Sequence, residues 1–461
     1  MSTSPSTPPQ ATAVPPSAAT PAAPGMDLYA RRRQELMRRI GPDGAALFVA
    51  TPQRTRSNDT EYDYRPHSDL WYLTGFEEPG SALLLLPGHE KSPEVIFVRK
   101  RDREREIWDG FRLGVDDAAA RLGVTQAAPI DDLFSMLPAL LQGRSSLVYT
   151  LGLCHDTDRQ VITTLQRVRH LARRGQQAPH SIHDPGLYLH EMRLVKTPAE
   201  IELLRTACRV SAEGHLRGMR MTRPGLREYE LQAEIEYVFR RSGARAPGYT
   251  TIVGGGKNAC VLHYIENRDE LRDGDLVLVD AGAEVGWYTG DITRTWPVNG
   301  RFTGHQRAIY DLVLRAQMDV VRLVKPGLPW HKLHEQAVRT LTEGLVDLGV
   351  LQGPVEAALE QKTFRKHYMH GTGHWLGIDV HDVGIYARPG ETGRALEPGM
   401  VFTIEPGLYF HADEPGVPER FRGIGVRIED DVLVTADGCE ILTAGVPKEP
   451  EEIEALVGRG L

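Results

Sequence analysis

The stretch 278-LVDAGAEVGWYTGDITRTW-296 decides how this chain is read. Its apolar runs on either side of a glycine-rich middle read as two buried strands joined by a turn. Two aspartates, Asp280 and Asp291, nevertheless stand inside those strands. A buried carboxylate costs on the order of several kcal/mol unless a cation or a set of donors sits against it. Such a pair therefore asks what balances it.

The same interruption recurs downstream. Glu405 follows "MVFTI" and Glu429 follows "GVRI", each at the end of an apolar run. Taken singly, Asp280 reads as a turn cap, Glu405 before Pro406 as a hydrogen-bond partner of a turn, and Glu429 as an ion-pair partner of Arg427. Taken together, four carboxylates on strands of one sheet point to convergence. They would repel one another and either bind protons or need cations. Two divalent ions would cancel their formal charge, and oxygen donors with an imidazole suit Mn, Co, Fe or Mg, the imidazole shifting the preference toward transition metals. Imidazoles are at hand: His370, His374 and His381 in "HGTGHWLGIDVHDVG", and His263 in "CVLHYIEN". His331, His334 and His411 read as surface residues.

Outside these segments the chain is that of a soluble protein. It has 461 residues, enough for two or three domains, with 41% hydrophobic and 25% charged residues. The net charge of −8 argues against nucleic acid or an anionic membrane surface as partner, and no apolar run reaches the roughly 18 residues of a membrane span. Four scattered cysteines form no CxxC pair, so neither a disulfide framework nor a cysteine zinc site is indicated, and a reducing, cytoplasmic setting is the expectation. The basic run Arg31–Arg39 and the mixed run Lys100–Glu106 read as solvated surface.

Residues 1–25, rich in Pro, Ala and Ser, read as a disordered tail without the features of a secretory signal. Residues 26–191 alternate short apolar strands with helical stretches, an α/β domain. Residues 192–461 carry helices beginning near Pro198, at "GLREYELQAEIEYVFRRSG" and at "HQRAIYDLVLRAQMDVVRLVKPG", with the acid-bearing strands between and after them. The expectation is an α+β layer with helices on one side of a mostly antiparallel sheet.

The order Asp, Asp, His, Glu, Glu in these contexts resembles the pita-bread metallopeptidases. Within that family the chain is most similar to aminopeptidase P, the Xaa-Pro aminopeptidases. The likeness runs from about Met26 and includes "NDTEYDYRPHSDLWYLTGFEEPG" and "EIWDGFRLG" in the first domain. It implies a C-terminal pita-bread catalytic domain in which Asp280, Asp291, His374, Glu405 and Glu429 bind two divalent ions, Mn(II) foremost, with Asp291 and Glu429 bridging. His263, His370, His381 and Arg427 match supporting or substrate-contacting positions, and Trp108 and Tyr249 positions that line the pocket. The implied substrates are short peptides with proline second, and the implied assembly is a homo-oligomer, a dimer or tetramer. Prolidase, which cleaves Xaa-Pro dipeptides with the same ligands, is the alternative. The short link "HADEPGVPERFRGIGVRIEDD" favours aminopeptidase P. A non-catalytic binding module of the same fold is a third reading, against which all five ligand positions are filled.

Overall fold

The computed structural model describes residues 25–171 and 177–460, so the tail expected over residues 1–25 lies, but for Gly25, outside the described residues. In the first half, six strands form one mixed sheet in the spatial order Gln126–Pro129, Glu94–Val98, Ala82–Leu85, Gly44–Val49, Ser146–Val148 and Ser181–His183. Strand alternation sends successive side chains to opposite faces, and here both faces are covered. Ala46, Phe48, Leu83, Leu85, Ile96 and Val98 pack into one core with Leu36, Leu70 and Trp71. Ala45, Leu47, Leu84, Val95 and Phe97 pack into another with Leu133, Leu137, Val161 and Leu165. That is why these strands read as continuous apolar runs rather than alternating ones.

The first of these cores does not stop at the first half. It takes in Trp287, Tyr288, Leu376, Ile378, Val401 and Leu433, so the two halves share buried apolar surface. The expected division after residue 191 falls inside the short helix His190–Leu194, whose Arg193 and Leu194 are buried.

The basic run Arg31–Arg39 corrects a surface expectation. Arg32 and Arg33, on the helix Met26–Ile40, are buried. Arg32 donates to Tyr72 O at 3.0 Å and pairs with Glu200 at 3.0 Å. Arg33 donates to Leu73 O and Gly123 O and pairs with Glu94 at 3.2 Å. A guanidinium carries five donors in a fixed fork, which suits it to gather several carbonyls and a carboxylate at once. Arg33→Ala is expected to lower stability by roughly 3 kcal/mol, because it leaves Glu94 and two carbonyls short of a partner. Urea unfolding monitored by Trp fluorescence measures this, and a loss below about 1 kcal/mol would count against the interior role.

In the second half the helix Pro198–Met221 opens with proline in its first turn and a reciprocal Thr197–Glu200 capping box. The helix Glu228–Arg241 buries Leu231, Ile235 and Phe239 and leaves Val238 half-buried. With the helices Gly304–Leu323 and His331–Asp347, it surrounds the largest core.

The acid-bearing strands do not share one sheet as expected. Leu276–Asp280 pairs antiparallel with Ile252–Gly255 on one side and Thr293–Pro297 on the other. Val401–Ile404 pairs with Asp430–Val434, while Gly407–Tyr409 pairs with Gly425–Arg427 in a separate two-stranded unit. Pro406 sits at the break, where its missing N–H cannot continue a ladder. Glu405 and Glu429 are thereby left at the corner between two strand pairs.

Candidate metal centre

Asp280 ends its strand opposite Thr293, and the chain between Asp280 and Asp291 leaves as a hairpin, Ala283–Val285 with Tyr288–Thr289. Gly286 and Trp287 form its tip at φ 56° and 68°, left-handed at both positions as the favoured two-residue hairpin requires. The returning strand crosses its outgoing partner so closely that a Cβ on Gly282 would meet Gly290 O at 1.7 Å. Only glycine permits that approach, which brings the two aspartates together.

A cavity of about 660 Å³ lies against this crossing. Asp280, Asp291, His374, Glu405 and Glu429 all line it, together with Tyr249, His263, His370, His381 and Arg427. Trp108 does not. It stands at 86% exposure on the helix Arg103–Asp109, which has no buried residue, away from the wall of this chain's cavity.

Donor atoms of Asp291, His374 and Glu429 lie within 4.8 Å of one another. His374 Nε2 is 3.4 Å from Asp291 Oδ2 and 3.5 Å from Glu405 Oε1. The other ring nitrogen, Nδ1, is 3.1 Å from Trp375 O, which holds a proton there and turns Nε2 toward the carboxylates, where it carries the second proton unless a cation displaces it. Across the cavity Arg427 Nη2 holds Asp280 Oδ2 at 2.6 Å, not Glu429 as the sequence spacing suggested. Thr293 Oγ1 donates to Glu429 Oε2 at 2.6 Å. The Tyr249 hydroxyl lies 2.6 Å from both Asp280 Oδ1 and Asp291 Oδ1, although it has one proton to give.

Electrostatics follow from burial. Removal from water raises the Asp291, Glu405 and Glu429 carboxyls above their ordinary range, and their neighbours' negative charges push Glu429 further. Burial opposes charge on His374, but Asp291 and Glu405 outweigh it and lift the imidazole to about 9. Burial and Arg427 hold His370 neutral, down to about 3. Acid groups so raised, with one hydroxyl proton shared between two of them, are a cluster short of positive charge. Hard oxygen donors plus one imidazole fit a divalent ion.

Some participants were not legible in the sequence. Tyr409 OH joins His370 Nε2 at 2.9 Å to Arg427 Nη1 at 3.1 Å. His334, expected on the surface, is half-buried and bonded to Thr372 at 2.9 Å behind the histidine loop. Nothing in their local sequence marks either, since both act across long separations.

Comparison with known proteins places this arrangement. The model of metallopeptidase family M24 matches residues 202–436, and that of the aminopeptidase P N-terminal domain matches residues 29–149. The chain belongs to metallopeptidase family M24, in its two-domain aminopeptidase P form. It is 48% identical over 430 residues to the Xaa-Pro aminopeptidase of Escherichia coli, covering 93% of this chain and 97% of that protein. To human Xaa-Pro aminopeptidase 3 it is 36% identical, covering 93% and 85%. The solved aminopeptidase PepP of Pseudomonas aeruginosa superposes with a TM-score of 0.92 at 48% identity, covering 94% of this chain and 98% of that one.

Proposed function

We propose that this chain is an Xaa-Pro aminopeptidase, releasing the first residue of peptides whose second residue is proline, with two divalent ions, Mn(II) foremost, in the cavity. The observation that carries this is the convergence of Asp280, Asp291, His374, Glu405 and Glu429 on one cavity with His374 Nε2 turned toward the carboxylates. Asp291 and Glu429, whose donor atoms cluster with that nitrogen, would be central among the residues holding such ions. Asp280 sits on the Arg427 side, and His374 and Glu405 on the other. When bound, such ions supply Lewis acidity and lower the pKa of water toward neutrality.

The chain's own groups divide the remaining work. Glu405, with its carboxyl raised by burial, is suited to take a proton and return it to the departing prolyl nitrogen. His370 is committed on both ring nitrogens, to Gly371 O at 2.7 Å and to Tyr409 OH. It therefore serves as a wall rather than a donor. His381 has no hydrogen bond to its ring among the described residues, which leaves it free to donate to a developing oxyanion. A prolyl nitrogen offers no N–H and its ring fixes φ, so recognition must come from shape. Leu262, Ile265, Val380 and Tyr386, which share the cavity wall with His370, supply apolar surface for that ring.

The names of the relatives favour this reading over prolidase. No described helix is long and apolar enough to cross a membrane. A cytoplasmic location and a homo-oligomer, dimer or tetramer, complete the proposal, and the exposed apolar tip Ile107, Trp108 and Phe111 supports an assembled state. The test is mass spectrometry of products after incubating the Mn-loaded chain with one Xaa-Pro-Yaa tripeptide and one Xaa-Pro dipeptide. The expected result is release of the free first residue from the tripeptide. Cleavage of the dipeptide alone would make the chain a prolidase, and cleavage of neither, with metal bound, a binding module.

A further inference from the structure

The loop that carries His381 has a cavity on each side. Val380 and His381 face the metal-site cavity, whereas Asp379 and Val383 line a second cavity of about 370 Å³ formed with Ser68, Asp69 and Arg193. His381 itself is exposed, and its ring is held by no hydrogen bond among the described residues. The ring stands edge-on to His374 at 4.3 Å between centroids, and beyond that contact its place is set by the adjoining backbone.

Two carboxylates flank it, and both are clamped. Asp379 accepts from Ser68 Oγ at 2.6 Å and from Arg193 Nη2 at 2.8 Å, and lies 3.4 Å from Arg65 Nη1. Asp382, fully buried, pairs with Arg193 and with Lys196 Nζ at 3.0 Å, and its backbone N–H donates to Trp375 O at 2.8 Å. Arg193 spends its other arm on Asp69 of the first domain at 2.7 Å. Arg65 of the same domain donates to Ile378 O at 2.7 Å and to Glu284 at 2.8 Å. Gly377 closes the turn, since a Cβ there would meet Asp382 Oδ2 at 2.1 Å.

We propose that Arg193, with Asp382 and Asp69, is a positioning centre through which the N-terminal domain sets the His381 ring over the reaction site. The three cations Arg65, Arg193 and Lys196 face the four carboxylates Asp69, Asp379, Asp382 and Glu284, with Arg193, Lys196, Asp69 and Asp382 buried and Arg65 and Asp379 at the solvent edge. Removing one member unbalances the rest, so its effect reaches the loop rather than stopping at one bond. The first domain then contributes to turnover through the placement of a donor it does not itself carry. This rests on the aminopeptidase reading for its catalytic consequence, though not for the placement of the ring.

A double-mutant cycle with Asp382→Asn and His381→Ala tests it in the full-length, metal-loaded chain. Asp382→Asn alone is expected to lower kcat about tenfold with KM within about twofold, and to cost less than about twofold once His381 is already alanine. Equal losses in both backgrounds would overturn the proposal. If Asp382→Asn does not fold, Asp69→Asn enters the same cycle with an expected loss of about threefold, judged by the same rule. Independently of turnover, the ¹³Cε1 signal of His381, assigned by loss in His381→Ala and read in the Zn-loaded chain, should shift or broaden in Asp382→Asn or Asp69→Asn. An unchanged signal would also overturn it. If the parent chain cleaves no Xaa-Pro-Yaa peptide, the aminopeptidase reading fails while the ring signal still decides the positioning claim.

Discussion

Asp291→Ala is expected to abolish hydrolysis of Xaa-Pro-Yaa peptides, by on the order of a thousandfold or more, and to strip at least one ion. Asp291 is held at both its side chain and its backbone. It faces His374 Nε2 at 3.4 Å and the Tyr249 hydroxyl at 2.6 Å, and its backbone N–H is pinned by Asp431 Oδ2 at 2.8 Å. The fold should survive, because in the metal-free chain the lost carboxylate is one of several that repel one another. Metal content by plasma mass spectrometry and tripeptide turnover on the same sample check this. Full turnover in a variant free of metal would sink the proposed mechanism.

Arg294→Ala should produce the largest loss of stability, roughly 3–5 kcal/mol. Arg294 and Asp430 are both fully buried and paired at 2.7 Å, and the same guanidinium donates to the backbone carbonyls of Glu429, Val446 and Pro447. Gln317 and Lys448 complete the set on the other Asp430 oxygen. Burial opposes charge on Asp430, but Arg294 and Lys448 prevail and hold its carboxyl down to about 2. An unfolded aspartate titrates near ~3.9. The sign follows: the folded pKa is depressed, so the stabilisation is complete above the unfolded value and lost as pH falls toward 2. The alanine variant should therefore unfold at lower urea at neutral pH, and its deficit should shrink as the pH is lowered through that window. A midpoint unchanged from the parent would refute the role given to this pair.

What the sequence disclosed depended on how local each signal was. Asp280, Asp291, Glu405 and Glu429 stand out because each breaks an apolar run within a few residues of itself, and the cavity gathers all four. Their sharing of one sheet did not follow, since Asp280 belongs to a strand set with Ile252–Gly255 and Thr293–Pro297, while the glutamates fall between two other strand pairs that part at Pro406. Arg32 and Arg33 sit in a run that composition reads as solvent-facing, and their partners, Tyr72, Leu73, Glu94, Gly123 and Glu200, come from distant segments. Arg193 and Tyr409 are invisible for the same reason: an ordinary residue becomes important only when distant segments arrive beside it. Trp108 shows the converse, a residue nominated by likeness of motif whose place in a single chain is out in solvent.

The hairpin and the paired strands that build the centre also fix when it can exist. Arg427 and Asp280 are 147 residues apart in the chain, and Thr293 and Glu429 are 136 apart. Contacts of that span form late, after most chain entropy has been surrendered. No short fragment holds the donor set, which is spread from Asp280 to Glu429, so ions cannot seed the collapse of this domain as zinc does for a finger. They are guests of a finished architecture, and their hold on it lies in slowing escape from the native state, not in hastening arrival there.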